Sequence, residues 1–192
     1  MSALLSNIYM LEFDIAASRF AKQYNGKYMR YCDDMLFIMP LGSGKLAEDF
    51  AEDKIKELEI EINPDKTDRC DFIAKSGLIS TKKPLQYLGF LFDGERTIIR
   101  SAAFAKYSNR VKRGVSLAKQ TMRRKNEIKN SLGCPETNLY KKQIFSRYSH
   151  LGKRNFIRYG YKAANILNSN AIRKQLRPLW GRLLEEIKSQ KI

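Results

Sequence analysis

The chain has 192 residues, with 36 Lys and Arg against 20 Asp and Glu and a formal net charge of +16. That length holds one domain, or one domain and a small lobe, around a real core. A hydrophobic content of 43% with 11% aromatics excludes a disordered chain, and no apolar run reaches the length of a bilayer span.

Residues 1–6 carry neither a basic n-region nor a small-residue cleavage signal, so secretion is not expected. Residues 3–11 place apolar side chains at 4, 5, 8 and 11 and are expected to form a buried helix. Tyr24-Asn25-Gly26 marks a turn. Residues 27–32 and 35–39 read as two strands with only Asp33-Asp34 between them, a tight hairpin. Pro40 through Gly44 break the second strand. Residues 45–58 set Leu46, Phe50, Ala51, Ile55 and Leu58 on one helical face. A short strand is expected over Ile60-Glu61-Ile62, stopped at Asn63-Pro64-Asp65. Residues 85–92 and 96–100 flank Asp93-Gly94-Glu95 and predict a second hairpin. Beyond residue 100 the pattern is helical. Val111, Val115, Ala118 and Met122 share one face, and Gly133-Cys134-Pro135 separates helices. Ile172, Leu176, Trp180, Leu183 and Ile187 share another, in a run that Pro178 should kink or restart. No internal repeat or low-complexity stretch interrupts this order.

Cys32, Cys70 and Cys134 are odd in number, far apart and outside any zinc spacing. A disulfide framework is excluded and the cytoplasm is the expected compartment. The charge is divided along the chain. Residues 1–100 carry 14 Lys/Arg and 16 Asp/Glu; residues 101–192 carry 22 and 4. A basic half with interleaved aromatic and Asn residues favours nucleic acid over a merely solvated surface. A membrane is the lesser alternative, because no segment sets a clean basic face against a large apolar one.

Two adjacent carboxylates at a hairpin tip repel each other. A divalent cation offsets that cost. Mg²⁺, with Mn²⁺ as the alternative, takes carboxylate oxygens together with substrate phosphate oxygens. Two such ions can activate a 3′-hydroxyl and stabilise leaving pyrophosphate. The competing reading is an ordinary Asp-Asp turn.

Residues 28–38, with Tyr31-Cys32-Asp33-Asp34 preceded by Arg30 and followed by Met-Leu-Phe-Ile, resemble the Tyr-x-Asp-Asp motif of reverse transcriptases. The likeness is to the bacterial group of group II intron, retron and antiphage-defence enzymes. Residues 4–14 resemble the helix after that family's dNTP-site motif. Ile62-Asn63-Pro64-Asp65-Lys66-Thr67 resembles the motif that follows the Asp pair, and Leu85-Gln86-Tyr87-Leu88-Gly89-Phe90 resembles the primer-grip hairpin. Residues 148–156 resemble a thumb segment of defence-associated, abortive-infection-type reverse transcriptases. The resemblance implies an α+β fold, with a partial polymerase palm of antiparallel strands and packed helices over 1–100 and a basic helical thumb over 101–192. It implies RNA-directed DNA synthesis from dNTPs on an RNA and DNA template-primer, in bacterial antiphage defence.

By the same resemblance Asp33 and Asp34 would hold Mg²⁺ and be catalytic, with Tyr31 beside them at the nucleic acid. Lys66 would protonate pyrophosphate; its alternative is an exposed Lys after a turn. Leu88, Gly89 and Phe90 would press on the primer end, or form a core strand with a bulge. Arg147, Lys153, Arg154 and Arg158, around Tyr148, Asn155 and Phe156, suit phosphate contacts with some base stacking; their alternative is a solvated helix face. His150 is the only His, and a structural or RNA-contacting role is expected of it. The family's fingers and its first metal-binding Asp would precede this chain, supplied by another segment or a partner chain. Asp14 imitates that Asp locally, but stands where the family has a structural, helix-terminal residue. Two functions therefore compete: a polymerase subunit or fragment, and a catalytically incomplete nucleic-acid-binding module derived from one. A metal-dependent nuclease has no specific feature in its favour. Oligomeric state stays open.

Overall fold

A computed structural model describes residues 3–189. The chain is mixed α+β, with small antiparallel sheets and long helical stretches. In order it runs α1 (Ala3–Tyr9), α2 (Leu11–Gln23), β1 (Lys27–Tyr31), β2 (Asp34–Ile38), α3 (Gly44–Lys56) and a 3₁₀ turn (Pro64–Lys66). Then follow β3 (Phe72–Lys75), β4 (Leu78–Thr81), β5 (Leu85–Tyr87), β6 (Phe90–Phe92) and β7 (Thr97–Ile99). Helices α4 (Ser101–Ser131), α5 (Lys141–Tyr148), α6 (Phe156–Ile166), α7 (Asn170–Leu176) and α8 (Pro178–Lys188) complete it. The strands pair as β1-β2, as β3-β4 and as β5-β6-β7. Two compact units result: residues up to 88 with 92–95, and 89–91 with the chain from 96 onward. Among the described residues, no helix is long and apolar enough to cross a membrane.

The first unit is built on α2. Its buried side chains recur at helical spacing, Phe13, Ala17 and Ala21, with Met10 just ahead of them. The expectation of a buried helix over 3–11 is corrected here. The segment is helical as far as Tyr9, but Leu4, Leu5, Ile8 and Leu11 are all exposed, and Met10 is the residue that enters the core. The chain breaks between α1 and α2 at Met10, which rotates the later residues onto a different face. In α3, Ala47, Ala51 and Ile55 are buried at i, i+4 and i+8, and the small alanines let the helix approach closely. Phe50 stacks on Phe20 with centroids 4.1 Å apart. Leu46, expected on this face, is exposed.

Three further expectations are corrected. The two-residue turn of the first hairpin is Cys32-Asp33, not Asp33-Asp34, because Tyr31 pairs with Asp34 and Asp34 opens β2. Residues 60–62 form no strand: Glu59 lies at φ 55°, Ile60 N–H bonds back to the Ile55 carbonyl at 3.3 Å, and Ile62 packs on the α2–α3 core. Residues 85–92 are two strands joined by a turn at Leu88 (φ 48°) and Gly89 (φ 86°). Successive positive φ values make the mirror-image turn that suits strand twist, so residues 85–99 form a three-stranded meander. The β3–β4 hairpin, turning at Ser76 (φ 52°) and Gly77 (φ 81°), has the same geometry.

The second unit packs α4–α8 around Val115, Ile144, Ile172, Leu176 and Leu183. Side chains close what the backbone leaves open. Gln175 both donates to and accepts from the backbone of Ile99 at 2.9 Å. Asn126 on α4 holds Thr137 by its N–H, hydroxyl and carbonyl. Buried Lys119 donates from Nζ to the Glu186 carbonyl at 2.8 Å, satisfying the end of α8. Pro178 begins α8 at a first-turn position, so the helix restarts there rather than kinking.

Candidate metal centre and nucleic-acid surface

Strand β1 alternates. Lys27, Met29 and Tyr31 are exposed, whereas Tyr28 and Arg30 are half-buried on the other face. Tyr28 packs edge-on to Phe13 at 5.9 Å and against Phe37 at 4.8 Å. Its hydroxyl donates to Asp14 Oδ1 at 2.7 Å. Arg30 grips the same carboxylate with both arms of its fork, Nε to Oδ1 at 2.8 Å and Nη2 to Oδ2 at 2.6 Å. Its Nη1 donates to the Cys32 carbonyl at 2.6 Å and to Asn7 Oδ1 at 3.3 Å. The Arg30 side chain is only 7% exposed. One guanidinium thus ties α1, α2 and the hairpin turn together.

This cluster has a definite charge state. Burial works to raise the Asp14 carboxyl, but the hydrogen bonds from Arg30 and Tyr28, with the charge of Arg30, outweigh it and hold it below its usual range. Burial, then the bond to Asp14, drives the Tyr28 phenol far above its ordinary value. Asp14 is therefore an anion committed to Arg30. Its place in the first turn of α2 adds the favourable end of the helix dipole.

At the tip, Cys32 takes φ 55°, a left-handed conformation uncommon for a side-chain-bearing residue. Tyr31, Cys32, Asp33 and Asp34 are all exposed. Among the described residues, no ion pair or protein hydrogen bond engages the Asp33 or Asp34 side chain. These two carboxylates offer hard oxygen donors of the kind that could hold Mg²⁺ or Mn²⁺. Among the described residues no group of three His, Cys, Asp or Glu gathers here. Tyr87 on β5, to which the sequence assigns no role of its own, lies within the field of Asp34. Burial first, then the Asp34 charge, raises its phenol.

The remaining candidates up to Phe90 lie on separate elements. Lys66 is exposed on the 3₁₀ turn, where Asn63 Oδ1 accepts the Asp65 N–H at 2.9 Å and Thr67 Oγ1 donates to the Asn63 carbonyl at 3.1 Å. Leu88 and Gly89 form a turn rather than a strand with a bulge, and Leu88 is exposed. Phe90 is half-buried against the helical core, 6.2 Å from Tyr159.

In the second unit, residues 149–155 form a tightly fastened loop. Ser149 is buried; its hydroxyl donates to the Phe145 carbonyl at 2.7 Å and accepts the Leu151 N–H at 3.1 Å. Gly152 is required because a Cβ there would run into the Ser146 carbonyl. Asn155 caps α6 by accepting the Arg158 N–H, and its amide donates to the carbonyls of Ser146 and Ser149. Its amide hydrogen bonds are thus internal. Tyr148 lies half-buried over Gly114 of α4, and its carbonyl accepts the Tyr107 hydroxyl at 2.6 Å. Arg147, His150, Lys153, Arg154 and Arg158 are exposed around this frame. His150 meets Trp180 edge-on at 5.1 Å, and Arg158 Nε donates to the Gly152 carbonyl at 3.1 Å. The loop presents cations on a fixed backbone, an arrangement suited to phosphates. No protein-family model matches the chain, and no curated protein matches it.

Proposed function

We propose that this chain is the palm–thumb portion of an RNA-directed DNA polymerase with a role in bacterial antiphage defence. The observation that carries the reading is the pair of consecutive, exposed carboxylates, Asp33 and Asp34, at the tip of a hairpin held from within by Arg30. Asp33 and Asp34 hold divalent metal, which when bound supplies charge neutralisation for nucleotidyl transfer. Lys66 delivers a proton to pyrophosphate. Leu88 and Gly89 meet the primer end, and the loop carrying Lys153 and Arg154 holds the template-primer backbone. Since Asp14 is committed to Arg30, the third carboxylate comes from a fingers segment or partner outside this chain.

A second reading has one observation in its favour. The same Arg30–Asp14 pairing leaves the chain two metal ligands at the tip, which suits a nucleic-acid-binding module that has lost catalysis. Labelled dNTP incorporation on a primed RNA, with Mg²⁺ or Mn²⁺, separates the two. Incorporation by the unsubstituted chain, alone or with a fingers segment added, that Asp33→Asn/Asp34→Asn loses supports the polymerase. Tight nucleic-acid binding with no incorporation, alone or with a fingers segment added, supports the binding module.

A further inference from the structure

We infer that Arg30, aimed by Asp14, is the positioning residue that fixes the hairpin tip and so the direction of Asp33 and Asp34. The metal half of this inference rests on the function proposed above; the mechanical half does not. Cys32 sits in a left-handed conformation that is strained for a residue with a side chain. Such a conformation persists only where its surroundings over-determine it. Among the described residues, Arg30 reaches the tip backbone: its charged N–H bonds the Cys32 carbonyl at 2.6 Å. That bond is short and charge-assisted, in the stronger class of hydrogen bonds.

The guanidinium cannot swing away. Two of its nitrogens are engaged by Asp14, and the carboxylate is itself held by the Tyr28 hydroxyl. Four N–H groups of one rigid fork therefore meet α1, α2 and the turn at once, and the fork transmits the position of α2 to the tip. Lysine keeps the charge but can satisfy only part of this set, since its ammonium is a point donor on a flexible stem. Arg30 bonds Asp14, Asn7 and the Cys32 carbonyl, so it acts through the tip backbone. It acts on Asp33 and Asp34 as outer-shell partners act on metal ligands.

The test uses the full chain and its Arg30→Lys variant. Amide hydrogen exchange is read at residues 32–34 and, as an internal control, in α2 and α3. Mn²⁺-induced broadening is read at the Asp33 and Asp34 carboxylates. Arg30→Lys should speed exchange at the tip about tenfold or more while α3 keeps its protection. Mn²⁺ affinity should fall roughly 10–100-fold, the range for weakened outer-shell support. If the variant also loosens α2 and α3, Asp14→Asn replaces it, since it keeps the Cys32 bond and removes the charge that aims it; faster tip exchange is expected there too. Unchanged tip exchange in the folded variant overturns the inference. If Mn²⁺ broadens neither carboxylate in the unsubstituted chain, the metal function fails, and the exchange data still decide the role of Arg30.

Discussion

At the scale of single residues, the Asp14–Arg30–Tyr28 cluster makes a pH-dependent contribution to stability whose sign is fixed. The Asp14 carboxyl is held below its ordinary value of 3.8. The folded chain therefore binds fewer protons than the unfolded chain just below that value. The contribution is fully present above it and disappears as pH falls through the lowered one. In urea titrations, the gap between the unsubstituted chain and Asp14→Asn should be constant from about pH 7 to 5 and shrink below about pH 4. A gap that does not begin to shrink as pH falls below the ordinary carboxylate value would show that Asp14 is not held as described. Arg30→Ala leaves Asp14 charged, partly solvated and held by Tyr28 alone, and should cost about 1.5–3 kcal/mol, the range for hydrogen bonds to charged groups. The sequence marks Arg30 only as a companion of the Tyr-x-Asp-Asp pattern. Its partner stands on α2, sixteen residues earlier, and no local spacing announces that pairing. The clue that is present is the two-residue alternation of β1, which puts Tyr28 and Arg30 on one face.

At the scale of elements, legibility depends on how local the cause is. The Asp-pair hairpin, α3 and the break at Pro178 are legible from neighbouring residues, although the turn falls at Cys32-Asp33 and Leu46 is exposed. The turn at Ser76-Gly77 is equally local: a Ser-Gly pair between two apolar runs is a turn signal, although the hydrophilic residues around it mask the strands it joins. The split of 85–92 is hidden because Leu88 adopts a left-handed turn conformation that its residue type argues against. Residues 60–62 have strand-forming side chains but no partner edge, which only the tertiary structure decides. The 149–155 loop separates support from display. Asn155→Ala removes the α6 cap and two bonds to carbonyls and should cost about 1–2 kcal/mol, measured as a lowered urea midpoint. Lys153→Ala/Arg154→Ala should change stability by no more than about 0.5 kcal/mol, yet weaken RNA binding in a filter or anisotropy assay. If the first variant is neutral, the loop is not fastened through Asn155. If the second binds RNA undiminished, the loop is not the phosphate surface.

At the scale of the whole molecule, the division of charge is legible from composition alone, and its consequence is a thermodynamic one. The chain from 101 onward holds 22 Lys and Arg and 4 Asp and Glu. Cations that neutralise phosphates release counterions, so affinity falls with salt in proportion to the number of phosphates neutralised. Cations that are merely solvated make no such demand. The full chain should therefore bind a primed RNA with a steep, linear dependence of log affinity on log salt. Replacing Arg147, Lys153, Arg154 and Arg158 by Ala should reduce the slope by roughly three to four, at about 0.9 for each phosphate no longer neutralised. On the proposed reading, in which those carboxylates engage metal rather than the polyanion, Asp33→Asn/Asp34→Asn should leave both slope and affinity nearly unchanged. The two substitutions together make the test directional. A flat salt response in the unsubstituted chain would reduce the basic half to a solvated surface and remove the basis for either nucleic-acid reading. A steep response that survives the four-residue change would keep nucleic acid as the partner. It would move the binding surface from the α5–α6 loop to another basic face, with the nine Lys and Arg of α4 next to be tested.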